Sequence, residues 1–321
     1  MRPLFNTVYA DEIKISVPHI QSLIESYRER SRTGLIRLAY PREERLHLLF
    51  KRGEIVNAFL VGPESWKTLH PDEWLGWMGG MGEAHARLAP LSTFALSLFK
   101  ILLQSSGSHT EIVVGQSHLK EFLTNSQKRP ATALLHLAWD NADGCLFLDG
   151  DSLSAYSMFA SRDNLVEEPG LAAIFQEWKE PRSVITTCVP DMNSDAWQEY
   201  YLRKAFAGTC ERALARFEAI TGRAMVDSLI RLVAVYASRQ NLEITIASRR
   251  MVDREVFSSP QQAAQNYRSL IQEFFTHFSS IIGSRLLFAI LDDIYSDLNP
   301  LEQQAVRQFA ILPEGMHYDT K

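Results

Sequence analysis

The sequence predicts an α+β fold: two tandem duplicated α+β modules with antiparallel β-hairpins, followed by a mostly helical C-terminal region. Three observations carry this reading. PHIQSLIESYRERSRTGLIRLAY (residues 18–40) lies over SHLKEFLTNSQKRPATALLHLAW (117–139), 99 residues downstream, and apolar positions match: Leu23 with Phe122, Leu35 with Leu134, Leu38 with Leu137, Tyr40 with Trp139. After a two-residue shortening, LFKRGEIVNAF (49–59) lies over LFLDGDSLSAY (146–156) at an offset of 97. From about Ser194 the alternation gives way to long stretches of helical periodicity. Self-similarity at a fixed offset that keeps packing and turn residues marks a repeated folding unit, so the expected domains are residues 1–107, 108–205 and 206–321.

In the first module, Ile20, Leu23, Ile24 and Tyr27 recur at helical spacing over 18–30. Thr33-Gly34 follows, and residues 35–40 alternate as a strand. PREER (41–45) is polar and turn-like, after which Leu46, Leu48 and Phe50 alternate with His47, Leu49 and Lys51 as a second strand. Arg52-Gly53 fits a two-residue hairpin in which Gly53 supplies positive φ, leading to a strand over 55–60. Asp149-Gly150 stands at the same place in the second module.

Each module continues with an aromatic-bearing segment (Trp74 and Trp77; Phe175 and Trp178) and a short strand ending in proline (84–90; 183–190). An apolar helix over 92–104 closes the first module before the breaker stretch SSGSH. Its counterpart begins near Ser194 and runs through Trp197, Tyr201 and Phe206. In the third region 210–220 and 224–238 are amphipathic helices meeting near Gly222, and 242–247 alternates like one strand. Pro260 opens a helix to Ile282, Gly283 interrupts it, and 286–294 and 301–310 follow, the last started by Asn299-Pro300.

Composition narrows the function classes. Lysine and arginine number 33 against 38 aspartates and glutamates, so a formal charge of −5 offers no footprint for a nucleic acid. The three cysteines (Cys145, Cys188, Cys210) form neither a CxxC pair nor an even framework, and read as buried thiols in a reducing compartment. No window reaches the roughly 18 consecutive apolar residues of a spanning helix, and MRPLFNTVYADEIKIS is too weakly apolar for a signal peptide. No membrane span and a cytoplasmic location are therefore expected.

A helix, then RTGLIRLAY, then LHLLFKRGEIVNAFLVG (46–62) resembles the domain at the N-terminus of PatA-type bacterial response regulators, the DUF4388 family. The likeness covers roughly residues 12–105 and, in diverged form, 111–205, where Ala133 replaces Gly34 and Ser152 replaces Ile55. It implies α+β interaction modules in bacterial signalling proteins and carries over no catalytic residue.

Candidate chemistry is sparse. His19 and His118 recur at helix starts, while His47, His136 and His277 sit inside strand or helix patterns without HExxH or HxH spacing. Arg28, Arg30 and Arg32 meet the loose RxxxR spacing with which PilZ domains grip cyclic di-GMP, but the Asp-x-Ser-x-x-Gly element is missing; DGDSLS (149–154) lacks the final glycine. Gly79, Gly80 and Gly82 are in the wrong order for GxGxxG and precede a strand, so they read as a turn. Asp292, Asp293 and Asp297 read as a solvated acidic face, and no GxSxG elbow occurs.

The sequence therefore assigns no catalytic, cofactor-binding or metal-binding residue and no cofactor. The apolar helix at 93–103 and the aromatic stretch at 272–282 predict either enclosure or a subunit interface. The expected function is a non-enzymatic adaptor, a homo-oligomer acting on other proteins such as a small GTPase, a roadblock-type protein or a two-component protein. The alternative is a sensor of a small ligand such as a nucleotide, or an unfamiliar enzyme, with its pocket between the duplicated modules.

Overall fold

Period-two alternation in residues 34–61 resolves into three strands of one antiparallel sheet. The computed structural model describes residues 13–41, 44–62, 66–104, 109–114, 121, 133–139, 142–149, 152–161, 165–167, 183–188 and 190–313. Its chain divides into two compact units, Met1–Asp191 and Met192–Lys321. The expected helix led by His118, the Phe175 and Trp178 segment, and the tail from residue 314 lie outside the described residues.

The first module runs β1 (Ile13–Ile15), α1 (Val17–Glu29), β2 (Gly34–Ala39), β3 (Arg45–Lys51), β4 (Glu54–Val61), β5 (Trp66–Leu69), α2 (Pro71–Gly79), β6 (Ala84–Pro90) and α3 (Thr93–Gln104). The sheet order is β1-β6-β2-β3-β4-β5, antiparallel throughout. One face, with Ile36, Leu38, Leu46, Leu48, Phe50 and Ala86, packs on Ile20, Ile24 and Tyr27 of α1 and on Trp74 and Met78 of α2. Tyr27 and Phe50 are 5.1 Å apart, and Tyr40 meets Trp77 edge-on at 4.9 Å, spacings that favour aromatic pairs.

Two glycines fix this module. Arg52 (φ 48°) and Gly53 (φ 85°) form the expected tight turn, and Gly53 donates to the Arg32 carbonyl at 2.7 Å. A Cβ on Gly53 would lie 2.7 Å from the Arg28 Cα, so the hairpin reaches the end of α1 only without a side chain. Gly34, at φ 155°, brings β2 against β6: a Cβ there would stand 2.3 Å from the Ala89 carbonyl oxygen.

The second sheet contains β7 (His109–Val114), β8 (Ala133–Trp139), β9 (Ala142–Asp149), β10 (Ser152–Ser161), β11 (Leu165–Glu167) and β12 (Ser183–Cys188), ordered β11-β10-β9-β8-β12-β7. Counted from its own first strand, this is the order of the first sheet. Registers agree as well: Ile13 opposite Ala86 answers to Ile112 opposite Ile185, and Leu35 opposite Ala89 to Leu134 opposite Cys188. Two expectations shift. Ser152 pairs with Asp149, so the residues between the strands are 150 and 151 rather than Asp149-Gly150. Phe50 opposite Gly34 answers to Leu148 opposite Ala133, which makes the offset there 98 and the shortening one residue.

The second unit runs α4 (Asp195–Thr221), α5 (Arg223–Arg239), β13 (Ile244–Ala247), β14 (Arg250–Asp253), α6 (Pro260–Ile282), α7 (Ser284–Ser296) and α8 (Pro300–Phe309). The boundary expected at 205/206 falls inside α4, and so does the break expected before 210. Trp197, Tyr201, Phe206, Cys210, Leu214 and Phe217 form one continuous buried stripe along that helix, so no interruption is possible there. The helix expected to close the second module thus belongs to the second unit.

The single strand expected at 242–247 is half of a hairpin. Its turn, Ser248 (φ 50°) and Arg249 (φ 66°), has no glycine or asparagine to announce it. Arg249 is held instead by Asp227 at 2.7 Å and Glu218 at 3.2 Å. The aromatic stretch at 272–282 is enclosed through Phe274, Phe275 and Phe278, while Ile281 is exposed.

Candidate functional site

The second face of the first sheet is where charge is buried. Directly opposed positions place Arg87, Arg37, His47 and Phe59 in one row across β6, β2, β3 and β4. Arg37 and His47 are each 5% exposed, and Lys100 of α3 is 1% exposed. Phe99 of α3 stands over His47 at 5.4 Å. Within α3, Ala95, Leu96, Leu98, Phe99, Lys100, Ile101, Leu102 and Leu103 are all buried, so the apolar helix is enclosed, as one of its two expected roles required.

Burial of His47, reinforced by the Arg37 and Arg45 charges, pushes its imidazole down to about 3, and its Nδ1 meets no hydrogen-bond partner among the described residues. The folded protein therefore holds it neutral, whereas the unfolded chain takes up a proton near 6.5. The unfolded state binds more protons between these values, so stability is lost as pH falls through that window, by up to about 1.4 kcal/mol per pH unit. In urea denaturation at fixed ionic strength, His47→Gln is expected to remove about 2 kcal/mol of the decline between pH 6.5 and 4.5. Parallel stability curves for the two proteins would contradict the assignment.

The second unit holds a buried ion network that braces its hairpin. Arg203 Nε donates to Asp253 Oδ2 at 3.2 Å, the Tyr267 hydroxyl donates to the same oxygen at 2.5 Å, and the Glu255 amide donates to Asp253 Oδ1 at 2.8 Å. Arg203 also donates to the Glu255 carbonyl and lies 3.8 Å from Glu199. Glu255 in turn accepts from the Glu243 amide at 2.8 Å. Burial pushes the Asp253 carboxyl and the Tyr267 hydroxyl upward, and the Arg203 charge opposes both shifts. Each carboxylate oxygen is spent on the chain's own amides and side chains, which is the work of a brace.

Within each unit, the described residues among those weighed from sequence do not converge. Exposed His19 bonds Ser16 Oγ at 2.7 Å beside the start of α1, and His277 pairs with Glu273 at 3.3 Å one turn away. Arg30 caps α1, and Arg32 lies over the Tyr27 ring at 5.6 Å. Gly79 ends α2, Gly80 caps it, and Gly82 (φ 74°) turns the chain into β6. Asp297 caps α7. Cys210 is buried, which pushes its thiol up and leaves it unreactive; the Cys145 and Cys188 side chains lie outside the described residues. No group of three His, Cys, Asp or Glu that could hold a metal ion occurs among the described residues, and none of the described helices is long and apolar enough to cross a membrane.

Sequence reasoning missed the row joining Arg87, Arg37 and His47. Its only signal was three polar residues in otherwise apolar strands, and only the register shows that they are neighbours. Comparison with protein-family models, curated proteins and solved structures finds no match for this chain.

Proposed function

We propose that the chain is a non-catalytic adaptor, cytoplasmic and bacterial, whose two α+β modules arose by tandem duplication and act through protein–protein contacts in signalling or polarity. One observation carries this reading: the registers of the two sheets correspond, and their chemistry does not. The row Arg87, Arg37, His47, Phe59 answers to Thr186, His136, Cys145, Met158 at equivalent positions. A site kept for catalysis or for one ligand would keep its polar groups, whereas a scaffold needs only its strand order and its packing. The DUF4388-like pattern of the first module supports the signalling context, and a small GTPase, a roadblock-type protein or a two-component protein fits as partner.

The buried cations and the unsatisfied His47 nitrogen favour a second reading, a small anionic ligand such as a nucleotide held at the first sheet. Thermal-shift screening of the full chain against nucleotides, organic acids and divalent metals separates the two. The adaptor reading expects no saturable shift; a saturable rise in Tm abolished by Arg37→Gln would replace it with the ligand reading.

A further inference from the structure

The second unit is built twice. Phe206 stacks on Tyr267 at 4.4 Å and Phe217 meets Phe278 at 4.0 Å, and both pairs are 61 residues apart. α4 and α6 therefore run parallel and in register. Gly222 (φ 83°) and Gly283 (φ 82°), again 61 apart, end these helices and start α5 and α7. Buried positions follow the same spacing: Leu202 with Ala263, Cys210 with Ile271, Leu214 with Phe275, Val226 with Leu287, Val233 with Ile294. Because α5 packs on α6 and α7 packs on α4, the two helix–glycine–helix hairpins are related by a local two-fold rather than by a translation.

Four of the six exposed apolar residues of this unit obey the symmetry. Ile220 and Ile281 are 50% and 46% exposed, and Met225 and Leu286 are 41% and 44% exposed. Both pairs flank the glycine junctions, one turn beyond the Phe217 and Phe278 contact, so the four side chains lie at one end of the bundle. Leu232 and Val235 add exposed apolar surface on α5 alone, since Asp293 and Ser296 stand at the equivalent positions of α7.

We propose that this end of the bundle is the face through which the protein pairs with a second copy of itself. The proposal deepens the adaptor reading and rests on it for its purpose. An isologous contact uses one patch on both copies, related by a two-fold between them, so a second copy brings an apolar patch equal in extent to this one. Six apolar side chains about half-exposed offer on the order of 500 Å² per copy, about 1,000 Å² across a pair, which reaches the lower bound of specific interfaces. The rim carries both signs: Glu218 and Asp227 beside Arg223 and Arg285. Both signs on the rim match a second copy, which carries the same mixed rim, better than a surface of one sign such as an anionic bilayer.

Sedimentation equilibrium of the purified full chain from about 1 to 100 μM, a range set by a micromolar Kd for a small interface, tests the proposal. The wild type is expected to be a dimer, and Ile220→Asp with Leu286→Asp to be monomeric at every concentration with an unchanged far-UV circular dichroism spectrum. Leu75→Asp, at an exposed leucine of α2, is expected to leave the dimer intact. If the double variant fails to fold, Arg223→Glu, at a side chain 83% exposed, is expected to weaken the dimer about fivefold, the effect of a rim charge. A monomeric wild type, a dimer that survives the double variant or is indifferent to Arg223→Glu in its place, or a monomer that cosediments with phosphatidylserine vesicles through Ile220 and Leu286 would overturn it. Partner capture from the host is a separate readout: its failure counts against the adaptor reading and leaves the dimer measurement untouched.

Discussion

Gly34→Ala is expected to destabilise the first module by about 4 kcal/mol, combining backbone strain at positive φ with a clash that only backbone movement relieves. The added methyl would stand 2.3 Å from the Ala89 carbonyl oxygen and 3.1 Å from the Pro90 Cα. Relief requires β2 to part from β6, which breaks the pairing of Gly34 with Pro90 and Leu35 with Ala89. Gly76→Ala is the matched control: it lies in α2 with nothing within 4 Å of its added Cβ, and is expected to stabilise by about 0.5–1 kcal/mol. Urea denaturation, with hydrogen exchange to assign the transition to β2 and β6, reads both. Equal effects of the two substitutions would show that the close approach at Gly34 is not present in solution.

Asp253→Ala carries the second large effect. Its carboxylate is 3% exposed and accepts from Arg203, Tyr267 and the Glu255 amide. Removing it leaves a part-buried guanidinium with Glu199 at 3.8 Å as its nearest remaining carboxylate among these contacts, a loss of about 3 kcal/mol. Because most of that loss is the stranded charge, Arg203→Met in the Asp253→Ala background is expected to recover part of it, a coupling of about 1–3 kcal/mol in the double-mutant cycle. Additive costs would mean that the two groups do not interact, and a single-variant loss below about 1 kcal/mol would place the network in solvent.

The first module was legible because its signals are local. Period-two alternation fixed β2 to β4, and Arg52-Gly53 marked the turn between β3 and β4. What escaped was set by tertiary contact. Ser248-Arg249 turns because Asp227 and Glu218 hold the arginine, and no local residue announces it. The short β5 is defined by pairing with β4 alone. Gly150 aligned with Gly53 by identity, yet the pairing of Ser152 with Asp149 shifts the strand register by one residue, since pairing rather than residue type sets it. The 61-residue repeat of the second unit is nearly silent in sequence: Phe217 with Phe278, Ile220 with Ile281, and Gly222 with Gly283 are identical, while most other positions share only burial. The row of Arg87, Arg37 and His47 needed three strands in register before its members became neighbours.

We propose that this chain works by presenting shape to another protein. Affinity capture with the full chain from its host, followed by titration of the purified partner, tests it most directly. One protein is expected to be recovered reproducibly and to bind saturably at fixed stoichiometry without any added small molecule. Recovery of no saturable protein partner, together with turnover or tight retention of a small molecule by the chain alone, would contradict it.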